Sequence, residues 1–330
     1  MTRVLVTGAT GFVGRALLPR LLEQGWVVRA AVRRPDAALP EGVEAVVAGD
    51  LEAGVDWRPA LEGVDLVVHL AARVHVMGET GMDVLERYRR TNVAATRRLA
   101  EAARAAGVRR FLLMSSVKAM GEGGGAPFTE ATPPAPADPY GVSKLEAEAA
   151  LCAAAGDAAG DAMEWVVLRP PLVYGPGVGA NFGKLLTLAR RGVPLPLGAV
   201  RNRRGLIFVG NLADAVIRCL THPGAAGRCF LIQDGEPLAV PELVRRLAAC
   251  FGRRALLVPV PVALLRLAAR VLGARAAFDR LCGSLEVDDS ALRRATGWTP
   301  PFTVDEGLRA TVDACPGTGT ARSSARNPLM

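Results

Sequence analysis

Only three of the forty basic residues are lysines, Lys118, Lys144 and Lys184, which leaves 37 arginines. No basic run is longer than two or three residues. A net charge of +8 spread in this way gives no continuous track for a polyanion, so no nucleic-acid partner is expected. The six cysteines, Cys152, Cys219, Cys229, Cys250, Cys282 and Cys315, stand far apart, without a C-x-x-C pair or a histidine at ligand spacing. That excludes a disulfide framework and a cysteine–histidine metal site, and reads as buried thiols in a reducing, cytoplasmic compartment. Met1–Gly8 runs straight into a strand and a glycine turn, so no secretory signal is expected. The most apolar stretch, Leu256–Leu265, is interrupted by Pro259 and Pro261 and followed by Arg266 and Arg270. It is too short to span a bilayer and is expected to enter the core as a helix.

What is present is a 330-residue chain, half of it hydrophobic, enough for two domains or one large α/β unit. Its first half alternates short apolar runs with helix-period segments, the pattern of βαβ units and a parallel sheet. Strands are expected at Arg3–Val6, Trp26–Val32, Val43–Ala48, Leu66–Leu70, Phe111–Met114 and Trp165–Leu168. Helices are expected at Phe12–Gln24, Val84–Ala106 and Tyr140–Ala155. Pro170-Pro171 and the Gly-Pro-Gly at 175–177 cannot sit in a central strand, so the chain leaves the sheet there. A second lobe follows, with helices near 182–191, 240–251, 262–273 and 303–314 and short strands at Cys229–Ile232 and Leu256–Val260. The expected architecture is a doubly wound, Rossmann-type domain over 1–169 with a returning segment near 206–233. A smaller substrate lobe is expected over 170–205 and 234–314, and a disordered tail over 315–330.

Four motifs carry chemistry. Thr7-Gly8-Ala9-Thr10-Gly11-Phe12-Val13-Gly14 joins a strand to a helix. Glycines there let backbone N–H groups close on a pyrophosphate at the helix N-terminus. After the second strand comes Arg33-Arg34 in place of a carboxylate for ribose hydroxyls, and guanidinium groups suit a 2′-phosphate, which favours NADP(H) over NAD(H). Tyr140 and Lys144 lie one helical turn apart. The ammonium is expected to lower the phenol pKa toward that of a working acid/base. With three tyrosines and three lysines, that spacing arises by chance in about 3% of shuffled chains. Ser115-Ser116 ends the fifth strand, where a parallel sheet presents ligand-contacting groups.

From Thr2 to about Phe302 these residues resemble the extended short-chain dehydrogenase/reductases, the NAD-dependent epimerase/dehydratase family. The resemblance rests on Thr7–Gly14, Gly49-Asp50-Leu51, His69-Leu70-Ala71-Ala72, Asn92-Val93-x-x-Thr96, Ser115-Ser116, Tyr140-x-x-x-Lys144, Leu168-Arg169-Pro170 and Gly297-Trp298-x-Pro300. It implies that Gly8, Thr10, Gly11, Phe12, Val13 and Gly14 bind the dinucleotide, that Asp50 and Leu51 flank its adenine, and that Leu70, Ala71, Ala72 and Asn92 line its path. It also implies Ser116, Tyr140 and Lys144 as the catalytic set. Asn181, Phe182 and Arg204 match positions that hold a uridine diphosphate, with Arg280 a less clean match. Val117-Lys118 stand where the 4,6-dehydratases carry Asp-Glu, which argues against dehydration. Leu172 replaces a usual asparagine.

The expected activity is therefore oxidoreduction at C4 of a nucleotide sugar, most simply a UDP sugar. A 4-ketoreductase of surface-polysaccharide sugar synthesis ranks first, a UDP-glucose or UDP-N-acetylglucosamine 4-epimerase second, and a non-catalytic dinucleotide-binding module third. Reduction of a steroid-like carbonyl ranks below the sugar readings. A homodimer through the helices at 84–106 and 140–155 is expected.

Overall fold

The structure, a computed structural model, describes residues 1–74, 83–156 and 162–315, without the side chains of 180, 181 and 276. Beyond Cys315 the expected tail lies outside the described residues. The strands are β1 Arg3–Thr7, β2 Val27–Val32, β3 Val43–Val47, β4 Leu66–His69, β5 Arg110–Met114, β6 Glu164–Arg169, β7 Leu172–Tyr174, β8 Leu206–Phe208 and β9 Arg228–Leu231. Seven of them form one sheet in the order β3-β2-β1-β4-β5-β6-β9, every pairing parallel, while β7 and β8 pair separately. The helices are α1 Phe12–Glu23, α2 Arg58–Leu61, α3 Val84–Tyr88, α4 Ala95–Ala105, α5 Pro139–Ala155 and α6 Ala180–Arg191. They continue with α7 Val209–Thr221, α8 Val240–Cys250, α9 Val262–Val271, α10 Arg275–Cys282, α11 Ser290–Thr296 and α12 Val304–Asp313.

Burial follows the layers. All residues of β4 and β5 are buried, as a strand covered by helices on both faces requires, whereas edge strand β3 has no buried residue. Strand order reverses between β1 and β4, so a crevice opens at their C-terminal ends. α5 starts cleanly because Pro139 occupies its first turn and the Asp138 carboxylate accepts the Gly141 N–H at 2.7 Å. Three large buried clusters lie one on each face of the sheet and one in the C-terminal lobe around Phe182, Phe208, Leu247 and Leu308, and a small fourth joins Val117 and Met120 to Leu231, Leu285 and Val287.

Several expectations need correction. The helix expected over 84–106 contains a π-turn at Arg89–Ala94 between α3 and α4. No strand forms at Leu256–Val260, where one bridge, Leu195 to Leu257, is all that pairs. α9, expected in the core, has no buried residue. Of its large apolar residues only Val262 and Leu265 pack on the lobe core, while Leu264, Leu267 and Val271 are exposed. Leu292 and Trp298, placed with the substrate lobe by the sequence, join the Rossmann cluster instead, because the Trp298 indole donates to Asp214 on α7 at 2.9 Å. Of the six free thiols, only Cys219 is fully buried.

Candidate active site

The first part of the site is the glycine turn after β1. Gly8 has φ +69°, and a Cβ there would sit 2.6 Å from the Ala71 nitrogen. A Cβ at Gly14 would lie 2.4 and 2.5 Å from the carbonyl oxygens of Ala9 and Gly8. The turn after β1 is thus pressed against the turn after β4 to a depth only glycine permits. No side chain caps the first turn of α1, and that turn holds no acidic residue. Its free N–H groups and positive dipole end suit a pyrophosphate, so these residues fit a dinucleotide. Thr10, Gly11, Phe12 and Val13 lie in this turn and the start of α1.

Beneath it the strand ends are fixed by polar contacts. Thr7 pairs with His69 in the sheet, and the Thr7 hydroxyl meets His69 Nδ1 at 2.6 Å while accepting the Ala71 N–H. His69 Nε2 meets the Thr96 hydroxyl at 3.1 Å. Burial, with the Lys144 charge adding to it, pushes the His69 pKa down to about 3. Asn92, in the π-turn, accepts the Arg73 N–H at 2.8 Å and donates to the Arg73 carbonyl and to Ser143. The structure therefore gives Asn92 the task of tying the segment after β4 to α5. Arg33 and Arg34 are exposed just past β2. Asp50 is exposed and caps the short turn Leu51–Ala53, whose Leu51 carbonyl accepts from Arg98.

The second part sits at the ends of β5 and α5. Ser116 closes β5 and its Oγ accepts the Lys118 N–H at 3.2 Å. α5 comes up against that turn at Gly141, where a Cβ would be 2.4 Å from the Lys118 carbonyl. Tyr140 is thereby set beside Ser116, its ring edge-on to Tyr88 at 6.0 Å. Lys144 is buried and donates to the Met114 carbonyl at 2.6 Å. One turn further on, Glu148 takes the Ser115 hydroxyl and pairs with Arg169 on β6 at 2.5 Å.

The titration expected for Tyr140 is corrected here. Burial pushes its pKa up to about 12. A hydrogen bond with Ser116 pulls it back in part, while Asp138 and Tyr88 raise it further. The Lys144 ammonium is turned to the Met114 carbonyl rather than spent on the phenol, and its own burial brings its pKa down to about 8. In the free chain the phenol is a poor acid, and a further cation beside it is needed to change that.

Ser116 and Tyr140 both face a cavity of about 670 Å³ between the Rossmann domain and the C-terminal lobe. Arg204 and Arg280 also line it, with Val117 and Lys118, and the rest of its walls are mostly apolar, from Leu185, Leu206 and Leu238 among others. Arg204 donates to the carbonyls of Arg280 (2.6 Å) and Gly283 (2.9 Å), so one edge of its guanidinium belongs to the wall. Phe182 lines the cavity but is buried, stacked on Tyr174 at 5.5 Å, and so acts as packing. The Asn181 side chain lies outside the described residues. The sequence reading missed Glu122, also on the wall, whose carboxylate takes Lys118 Nζ at 2.6 Å. The spacing of four residues between Lys118 and Glu122 was the available signal.

The chain is 41% identical over 319 residues, 94% of each chain, to a UDP-glucose 4-epimerase of Vibrio cholerae. It is 33% identical over 264 residues, 76% of this chain and 71% of the other, to a 3-beta-hydroxysteroid dehydrogenase of Mycolicibacterium neoaurum. Among solved structures it is similar to MoeE5 in complex with UDP-glucuronic acid and NAD. That match has a TM-score of 0.75 and 30% identity, and covers 94% of this chain and 98% of the other. Residues 4–232 match the profile of one family. With the glycine turn, the Ser116–Tyr140–Lys144 set and these likenesses together, the chain belongs to the NAD dependent epimerase/dehydratase family.

Proposed function

We propose that the protein is a pyridine-nucleotide enzyme that inverts C4 of a UDP-linked hexose. The observation that carries this reading is one cavity lined both by a hydroxyl pair, Ser116 and Tyr140, and by two arginines, Arg204 and Arg280. The hydroxyl pair suits the carbon that changes, and the arginines suit a diphosphate. The cofactor, when bound in the glycine cradle, supplies hydride transfer. The chain's own residues do the rest. With the positive charge of an oxidised cofactor beside it to favour the phenolate, Tyr140 would take the proton of the sugar hydroxyl as it is oxidised and return it on reduction. Ser116 hydrogen-bonds the reacting oxygen, and Lys144 anchors α5 to the end of β5 so that both hydroxyls keep their place. Val117-Lys118 provide no acid–base pair for dehydration.

The 4-ketoreductase that the sequence ranks first becomes the second reading, supported by Arg33 and Arg34, which are exposed just past β2 and suit a 2′-phosphate, so favouring NADP(H). The test incubates the protein with UDP-glucose, UDP-N-acetylglucosamine and a UDP-4-keto-6-deoxy-hexosamine, following NADPH absorbance and C4 configuration. Interconversion at C4 with no net NADPH loss is expected. Stoichiometric NADPH oxidation with the keto sugar alone would replace epimerisation by reduction, and turnover of a steroid but no sugar would remove both.

A further inference from the structure

One strongly basic stretch of the chain belongs to the C-terminal lobe. Residues 251–282 carry six arginines and a single acidic residue, Asp279, a local net charge of +5. In the structure this stretch is the outer edge of the C-terminal lobe: the segment after α8, then α9 and α10 packed on each other. Arg253, Arg254, Arg266, Arg270 and Arg275 are all exposed.

The same stretch exposes large apolar side chains. α9 turns Val262 and Leu265 toward the lobe core, while Leu264, Leu267 and Val271 point to solvent at 56%, 58% and 78% exposure. Those three positions, spaced three and four apart, make a stripe along one side of the helix. Leu272, 78% exposed, continues it, and Leu256 and Val258 are exposed just before α9. Isolated exposed leucines need no explanation. A solvent-facing apolar stripe flanked by arginines, on a helix with no buried residue, is a surface waiting for a partner.

We infer that α9 and its flanking arginines form a docking surface for an anionic lipid bilayer, on which the helix lies with the Leu264–Leu267–Val271 stripe in the headgroup region. Charge complementarity selects this occupant. Guanidinium groups alongside an apolar stripe match a negatively charged, partly apolar surface, which draws basic side chains and accepts apolar ones together. A second copy of the chain meets the opposite condition. A two-fold contact through this face would bring two sets of arginines together with one acidic residue per copy to offset them. No described helix is long and apolar enough to cross a membrane. An element lying on the surface needs no such length.

The experiment mixes the purified full-length protein with sedimentable vesicles of phosphatidylcholine alone, and of phosphatidylcholine with phosphatidylglycerol, at low and high salt. The protein is expected to sediment with the anionic vesicles only, and to be released by salt. R266A/R270A is expected to weaken partitioning about 30-fold, since each basic group near such a surface contributes a comparable share. L267S/V271S is expected to reduce it as well. Both variants should retain wild-type melting and turnover, because neither pair lines the cavity. The inference is overturned if wild type stays in the supernatant with anionic vesicles, or if both variants sediment as wild type does. It is equally overturned if sedimentation velocity shows L267S/V271S dissociating an oligomer that does not itself bind vesicles, which would give the face to a second copy.

Discussion

The two sides of the cavity are built on different principles. On the Rossmann side, polar groups meet polar groups: His69 with Thr7 and Thr96, Asn92 with Arg73 and Ser143, Lys144 with Met114, Ser115 and Arg169 with Glu148. On the C-terminal side the wall is mostly leucine and valine, with a few charged residues among them. The first arrangement fixes where atoms sit, because a buried polar group left unpaired costs more than it gains by moving. The second fixes only shape and volume, which sequence change alters cheaply. For the activity proposed above, that difference would assign the chemistry to one side and the choice of substrate to the other.

The sharpest way to break this comparison is Tyr140→Phe, which removes one hydroxyl and leaves the packing against Tyr88. Turnover is expected to fall about 10²- to 10⁴-fold with melting unchanged. A variant within a few-fold of wild type would remove Tyr140 from the chemistry. Next comes Glu148→Ala. It strips the partner from Arg169, which is buried with it, and leaves the Ser115 hydroxyl without an acceptor. A loss of about 3–5 kcal/mol in denaturant unfolding is expected. A loss near zero would mean that water reaches the pair.

His69 gives the pH arm. Its folded pKa, about 3, lies below the ordinary 6.5, so between these values the unfolded chain binds a proton that the folded one does not. Stability therefore rises with pH across that window and falls away on acidification from about 6.5 toward 3. In His69→Gln this part of the acid limb should flatten in melting curves taken over the same range. The smallest effect is expected on the cavity wall. Lys118→Met breaks a half-exposed pair with Glu122 and should shift KM about threefold or less, with kcat and stability unmoved. An effect on kcat as large as that of Tyr140→Phe would erase the contrast between the two sides.

Much of the Rossmann half was readable from the chain. The strand and helix periods place β1 to β6 within a residue or so, since continuous apolar runs and the glycine turn are local signals. The π-turn around Asn92 was not readable, because its cause is the distant pairing of Asn92 with Arg73 and Ser143. In the second lobe the apolar run ending at Leu265 looked like core. Its two prolines and alternating exposure make it a surface segment, and burial of a helix face depends on what packs against it rather than on its own composition.

What the sequence by itself determined is the set of local necessities: the glycine at 14, where the carbonyls of residues 8 and 9 leave no room for a Cβ, proline and aspartate at the head of α5, and tyrosine and lysine one turn apart on it. These are decided by sterics and spacing within a few residues. The tertiary structure alone decided which way Lys144 points, how acidic Tyr140 is, that Trp298 belongs to the first lobe, and that α9 faces solvent. Each of those depends on desolvation and on partners far away in the chain, and neither is a property of a residue and its neighbours.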